Sequence, residues 1–204
     1  MIYEDFSHWT EFEFCLENVC WQGYEKAKKF QTPQAAWDAW DDLGEMLWCL
    51  AKRRYDKYRL VRCGMALVQP VLPILNESCP RTELFVQAMG AVRNWWNNPT
   101  SDNKTQVASF LRRMKGALEG KRIPYNAANC IFKLGQCIFR RRVITELSLE
   151  VAFALIYAAK YRPPERRLLP EIPNDELSLK RIAEYQCGIV RRHFPAAPTS
   201  FSFD

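Results

Sequence analysis

The chain has 204 residues, 48% of them apolar and 25% charged, with a formal net charge of +6. That length and balance fit one globular domain with a buried core, and only eight glycines argue against Gly-rich phosphate-cradling loops and tight hairpins. The longest apolar run (residues 151–159) is too short for a membrane span, and Met1-Ile2-Tyr3-Glu4-Asp5 is acidic where a secretory leader is basic and then apolar.

Residues 1–30 mix aromatic and acidic positions, among them Phe6, Trp9, Phe12 and Phe14. Their spacing fits a helix over 7–19 with Ser7 as N-cap and Glu11 in its first turn, while the alternation at Phe12 and Phe14 also allows a strand. Gly23 marks a break before the basic Lys26 to Lys29. The clearest helix signal follows. Thr32 is a cap, Pro33 takes the first helical position, and Ala36, Trp40, Leu43, Leu47 and Leu50 recur at steps of three and four. This predicts one helix over 32–50, with Trp37 and Trp48 widening its buried face. Asp38, Asp41, Asp42 and Glu45 then point outward.

A helix over 56–68 is ended or kinked by Pro70 and Pro73. The next begins near Pro80, carries Leu84, Phe85, Ala88, Ala91, Val92 and Trp95, and stops at Asn97-Asn98-Pro99. Ser101 opens a fourth helix, over 102–119, closed by Gly120. Pro124 precedes a fifth, over 126–142, whose apolar set is Ile131, Leu134, Ile138 and Phe139. A sixth, over 148–161, is apolar on every side, the pattern of a central buried helix. Four prolines in 162–173 exclude a continuous helix there. Asn174 then caps a last helix over 175–193. It turns Leu177, Ile182, Tyr185, Ile189 and Val190 inward and places Arg191, Arg192 and His193 at its negative end. The tail, 195–204, reads as irregular, with Phe194, Phe201 and Phe203 available to lie in a groove. No segment alternates convincingly. The expectation is an all-α fold, a single compact domain over 1–204 with about seven helices.

The chemistry-bearing residues are sparse and scattered. Eight cysteines include no C-x-x-C pair, and two histidines accompany them. A metal centre usually shows short paired spacings, so none is expected, and without a leader the thiols read as small buried hydrophobes rather than disulfides. His8 and His193 lie far apart, with no base and nucleophile paired around them. Asp38, Asp41, Asp42 and Glu45 would suit a general acid and base or an oxygen-ligated cation, yet their spacing is that of a solvated face. The sequence therefore reads as a non-catalytic chain without a cofactor.

Charge distribution is more informative than total charge. Residues 1–50 carry ten acidic and three basic side chains, a net −7, which leaves +13 for the remainder. Either an acidic surface lies beside a basic one or the two segments pack together. The acidic helix would engage a basic partner through Asp38, Asp41, Asp42 and Glu45. An alternative basic surface gathers Arg112, Arg113, Arg140, Arg141 and Arg142, with Lys121-Arg122, Arg166-Arg167 and Arg191-Arg192 as further candidates. Arginines there would neutralise phosphates or grip carboxylates, and Trp95, Trp96 or Tyr125 would add base stacking. Arg140 to Arg142 also suit a helix carboxyl end for dipole reasons alone. No helix-turn-helix, RRM or KH signature is present.

The order Ala36-Trp37, then Met46-Leu47-Trp48-Cys49-Leu50, then Arg59-Leu60-Val61-Arg62-Cys63-Gly64-Met65-Ala66 resembles a group of bacterial helical proteins. The group comprises immunity proteins of polymorphic-toxin systems and related modules common in planctomycetes. In it a tryptophan-rich helix precedes an L-x-x-C-x-x-A helix, and a third helix starts with an arginine and ends with an aromatic. Arg81 and Trp95 stand in those places. Cys187-Gly188-Ile189-Val190-Arg191-Arg192-His193-Phe194-Pro195 is similar to the group's closing pattern. Glu45 stands where the group usually has tryptophan. The resemblance covers 32–97 and, loosely, 183–195, and rests mostly on packing residues. It implies a compact helical protein that binds another protein, a toxin or a defence-complex subunit, and it implies no catalytic residue. The alternative reading is an accessory subunit that binds nucleic acid.

Overall fold

A computed structural model describes residues 29–52, 56–78, 82–118, 125–161, 168–169, 172–173 and 176–196. The expected elements at 7–19, His8, Gly23, Arg81, Gly120, the pairs at 121–122 and 166–167, Asn174 with Asp175, and Phe201 with Phe203 lie outside the described residues, as do the side chains of Trp48 and Tyr125. Within them the chain is all α, with nine α-helices and no strand; one isolated bridge pairs Leu169 with Ile172.

The helix expected over 32–50 is two helices, α1 (Pro33–Ala39) and α2 (Leu43–Lys52). Thr32 caps α1 by accepting from the Ala35 amide. At the far end Trp40 is extended, with φ −67° and ψ 125°, and its amide reaches back to the Trp37 carbonyl. Asp42 then restarts the chain, its carboxylate accepting from the Glu45 amide at 3.0 Å. An Asp offering that bond competes with helix continuation, so the apolar periodicity runs across the break without revealing it.

Asp56 caps α3 (Lys57–Val68) by accepting from the Tyr58 amide. The two prolines after it kink the path rather than end it. Pro70 sits in a 3-10 turn, Gln69–Val71, and Pro73 falls in the first turn of α4 (Leu72–Ser78), where its missing N–H is no loss. Two hairpins follow. The first joins α5 (Thr82–Asn97) to α6 (Ser101–Leu118). Thr100, rather than Ser101, is the cap of α6, its hydroxyl accepting from the Asn103 amide.

The second hairpin joins α7 (Tyr125–Cys137) to α8 (Val143–Tyr161), and here the expected bounds, 126–142 and 148–161, shift by five residues. No Ser, Thr, Asp or Asn stands at 138–142 to announce a helix start. Tight turns carry the joint instead, with the Phe139 amide on the Gln136 carbonyl and the Val143 amide on the Arg140 carbonyl. Ser148, the expected first residue of α8, lies inside that helix with its hydroxyl on the Thr145 carbonyl. Nor is α8 buried on every side. Leu149, Phe153 and Tyr157, spaced one turn apart, are 58%, 49% and 54% exposed. The last helix, α9 (Leu179–His193), is capped by Ser178, four residues after the start expected from Asn174.

The α7–α8 hairpin is the centre. The α5–α6 hairpin packs on its α7 side, α2 and α9 pack on its α8 side, and α3 bridges the two groups. One continuous core results, with Trp37, Leu47, Leu50, Leu60, Phe85, Met114 and Phe194 among its large buried side chains. Gly64 permits the closest approach. A Cβ there would lie 2.9 Å from Leu134 Cδ1 and 3.2 Å from methyls of Ile144 and Leu147. Between α8 and α9, buried Gln186 donates to the Ser148 carbonyl at 3.2 Å, which satisfies an otherwise costly buried amide.

Candidate functional site

The topology brings four chain segments to one end of the bundle. They are the start of α3, the turn between α5 and α6, the joint between α7 and α8, and the end of α9. Ring contacts fix their arrangement. Tyr58 stacks on Trp95 with centroids 5.2 Å apart, and Lys104 lies 5.5 Å above the Phe139 ring. Arg62 lies 5.4 Å from the Trp96 ring centroid and Arg59 lies 5.6 Å from that of Phe194. Phe139, Trp96 and Phe194 stand at or just beyond helix ends, and each holds a long cationic side chain at a defined place.

The charges at this end are almost all of one sign. Lys57 feels both Arg141 and Lys104, and its pKa is lowered, first by desolvation and then by those two cations. His193 is similarly lowered, by desolvation first and then by Arg62, Arg192 and Arg59. Among the described residues the ion pairs are Lys133–Glu146 and Arg181–Glu176. None of Lys57, Arg59, Arg62, Lys104, Arg141 or Arg192 takes part in either. Asp56 and Asp102 are the nearby acids by sequence, and the Asp56 carboxylate already accepts the α3 cap bond. Among the described residues, then, these repelling cations are gathered without an ion-pair partner.

Of the arginines singled out from sequence, Arg140, Arg141 and Arg142 belong to this end, and so does Arg192 beside His193. The first three lie in the α7–α8 joint, just ahead of α8, and not at the carboxyl end of a longer helix. Arg112 and Arg113 are exposed on α6, about 12 Å further along it than Lys104, and Arg113 is turned about 180° around the helix from Lys104. Arg113 covers Phe110 instead, at 5.2 Å. The two arginine sets do not form one stripe. Lys57, Arg59, Arg62 and Lys104 were missed by sequence reasoning, although Lys57-Tyr58-Arg59-x-x-Arg62 was a legible signal. It puts three cations on the outward side of a helix whose Leu60, Val61 and Cys63 are buried.

The acidic candidates gather at the α1–α2 elbow. Asp38 is exposed and accepts from Gln34 Nε2 at 2.9 Å. Asp42 is the α2 cap, and Glu45 accepts from Trp40 Nε1 at 3.1 Å. Arg191 reaches the same elbow, donating from Nε to the Trp37 carbonyl at 3.2 Å and from its terminal nitrogen to the Trp40 carbonyl. It thus caps the end of α1 across the fold instead of serving its own helix end. Trp37 Nε1 donates to the Phe194 carbonyl at 2.9 Å, and Gln34 donates to the Pro195 carbonyl. Much of this acidic and aromatic chemistry is spent holding α1, α2 and the chain after α9 together.

The stacking platforms expected for nucleic acid are also committed internally. Trp95 is 4% exposed and stacked on Tyr58, and Arg62 covers Trp96. The described cysteines, Cys49, Cys63, Cys130, Cys137 and Cys187, are all buried. Burial pushes the Cys63 thiol up to about 12 and Cys187 to about 11, so thiolate chemistry at either is suppressed. Among the described residues no three of His, Cys, Asp and Glu group as a metal ion would need, and no helix is long and apolar enough to cross a membrane. No protein-family model, curated protein or solved structure matches the chain at a significant level.

Proposed function

We propose that this protein is a non-catalytic binding protein that holds an acidic partner protein in a stoichiometric complex through the basic end of its bundle. The carrying observation is the set of cations Lys57, Arg59, Arg62, Lys104, Arg141 and Arg192, drawn from four segments and without an ion pair among the described residues. Arginines held over rings present their guanidinium edges outward, and that fork matches carboxylates in bidentate geometry with little ordering cost. The exposed Leu149 and Phe153 on α8 add apolar area of the kind protein interfaces use. The resemblance of 32–97 to immunity proteins supports the same class, an immunity or accessory component acting on a toxin or defence-complex subunit. The acidic elbow is the weaker candidate surface, because Asp42 and Glu45 already serve the fold.

A second reading, binding to nucleic acid, draws on the same cations. It is disfavoured because, among the described residues, the rings near these cations are already stacked on one another or covered by a cation, which leaves less ring face for bases. The test is capture from native lysate on the immobilised protein, with nuclease present. Wild type is expected to retain one stoichiometric protein, and Arg59→Glu/Arg62→Glu/Arg192→Glu is expected to lose it while melting normally. Asp38→Asn/Asp41→Asn, which spares the Asp42 cap, is expected to retain it. Capture that vanishes with nuclease, or that survives the arginine reversal but not the aspartate change, would overturn the proposal.

A further inference from the structure

Lys57, Lys104 and Arg141 come from three elements far apart in sequence, and each stands at or near a helix amino end. Lys57 is the first residue of α3, Lys104 lies in the first full turn of α6, and Arg141 lies two residues before α8 begins. Lys104 is anchored over Phe139, two residues from Arg141. The positive ends of three helix dipoles add to the field of the three side chains, offset by the carboxylates of Asp56 and Asp102. A folded chain keeps repelling charges together at a cost in stability, and a bound anion is what removes that cost.

We infer that Lys57, Lys104 and Arg141 form a subsite for a phosphomonoester dianion, either free inorganic phosphate or a phosphorylated side chain on the partner protein. The inference deepens the protein-binding reading and rests on it for the second of those sources. The choice of anion follows from charge and shape. A phosphomonoester carries about −1.5 to −2 at neutral pH and three acceptor oxygens, enough to answer three cations carried by three separate segments. A carboxylate offers one charge and two oxygens. A nucleic-acid strand spreads its charge at about one per 3.4 Å, which suits cations in a row along one element, whereas these converge from three.

The test is calorimetry and thermal melting of the full chain with inorganic phosphate, and then with O-phosphoserine, against chloride at equal ionic strength. Saturable binding of one phosphate is expected, with a raised Tm. Lys104→Gln and Arg141→Gln should each weaken binding by about tenfold, since a hydrogen bond to a charged group is lost. Without phosphate these two variants should melt at or above the wild-type temperature, because repulsion has been relieved; a merely structural role would lower it. Arg112→Gln removes the same charge elsewhere on α6 and should bind phosphate as wild type does. Absence of saturable binding, or equal loss in Arg112→Gln, would overturn the subsite while leaving partner capture intact. Phosphate binding together with failed partner capture would retain the subsite and overturn the protein-binding reading. With both retained, phosphatase treatment of the partner separates the sources: lost affinity assigns the site to a phosphorylated side chain, and unchanged affinity assigns it to free phosphate. Displacement of phosphate by a mixed-sequence single-stranded oligonucleotide that binds far more tightly than O-phosphoserine would overturn the assignment to a phosphomonoester.

Discussion

His193 ends α9 with Arg62, Arg192 and Arg59 facing it, and burial and those three charges together disfavour its imidazolium. Its folded pKa is therefore below the ordinary value of about 6.5, so the unfolded chain takes up the proton first on acidification. The stability this group contributes is fully present above about pH 6.5 and is lost as pH falls through the folded pKa. Glu150 acts in the opposite sense. Its pKa is raised by desolvation, and the stability it contributes is present at low pH and lost as pH rises through that folded value. Thermal melts of wild type and His193→Gln from pH 7.5 to 5 separate the two. Wild type should lose stability relative to the variant as pH falls, and parallel curves would contradict the crowding of arginines around His193. Legibility at this scale followed sequence distance. Thr32 and Asp56 cap helices beginning at the next residue and were readable as cap-forming residue types, Thr32 as a cap outright. Arg191 bonds carbonyls more than 150 residues away, so its pairing with the elbow had no local signal, and it read as a helix-end charge.

Apolar periodicity located nearly every described helix, yet it did not locate the breaks, because a kinked chain can keep one apolar stripe in the core on both sides of the kink. The Trp40–Asp42 elbow is of this kind, whereas the Gln69–Val71 break was announced by Pro70 and only the short α4 after it was not; the two together account for nine helices where about seven were expected. The exposure of Leu149, Phe153 and Tyr157 was hidden for a related reason: composition reports how apolar a helix is, while only packing decides how many of its sides are covered. Close approach is the element-scale property that sequence conceals most. Gly64 and Gly116 are both interior helix glycines, and propensity alone predicts that alanine stabilises each by about 0.5–1 kcal/mol. Their surroundings differ. A Cβ at Gly116 meets nothing within 4 Å, whereas at Gly64 it presses on Leu134, Ile144 and Leu147 together. Gly116→Ala should therefore raise stability by about that amount, and Gly64→Ala should lower it by about 1–3 kcal/mol through overpacking. Denaturant melts of the two variants check this, and a stabilised Gly64→Ala would contradict the tight meeting of α3, α7 and α8.

The opposed charges of the first 50 residues and the rest left two arrangements open from sequence, segregated surfaces or mutual neutralisation within the fold, and the two predict opposite responses to salt. Attraction between packed acidic and basic elements weakens as salt is added, so neutralisation predicts a falling Tm. Repulsion within a one-signed cluster weakens as well, so segregation predicts a rising one. Among the described residues the ion pairs are two, each with an exposed member, and exposed pairs contribute little, roughly 0–1 kcal/mol. Lys57 by contrast is repelled by Arg141 and Lys104, and Arg59, Arg62 and Arg192 share the field around His193. Repulsion should therefore decide the sign. Raising NaCl from 10 mM to 150 mM shortens the Debye length from about 30 Å to about 8 Å, and the Tm should rise by about 2–4 °C if about 1 kcal/mol of repulsion is screened. A variant carrying Lys104→Gln and Arg141→Gln should start from a higher Tm at low salt and respond less. A Tm that falls with salt in wild type would mean that the acidic third neutralises the basic helices. The cations at this end would then be bound by the chain's own carboxylates, with nothing left for a partner.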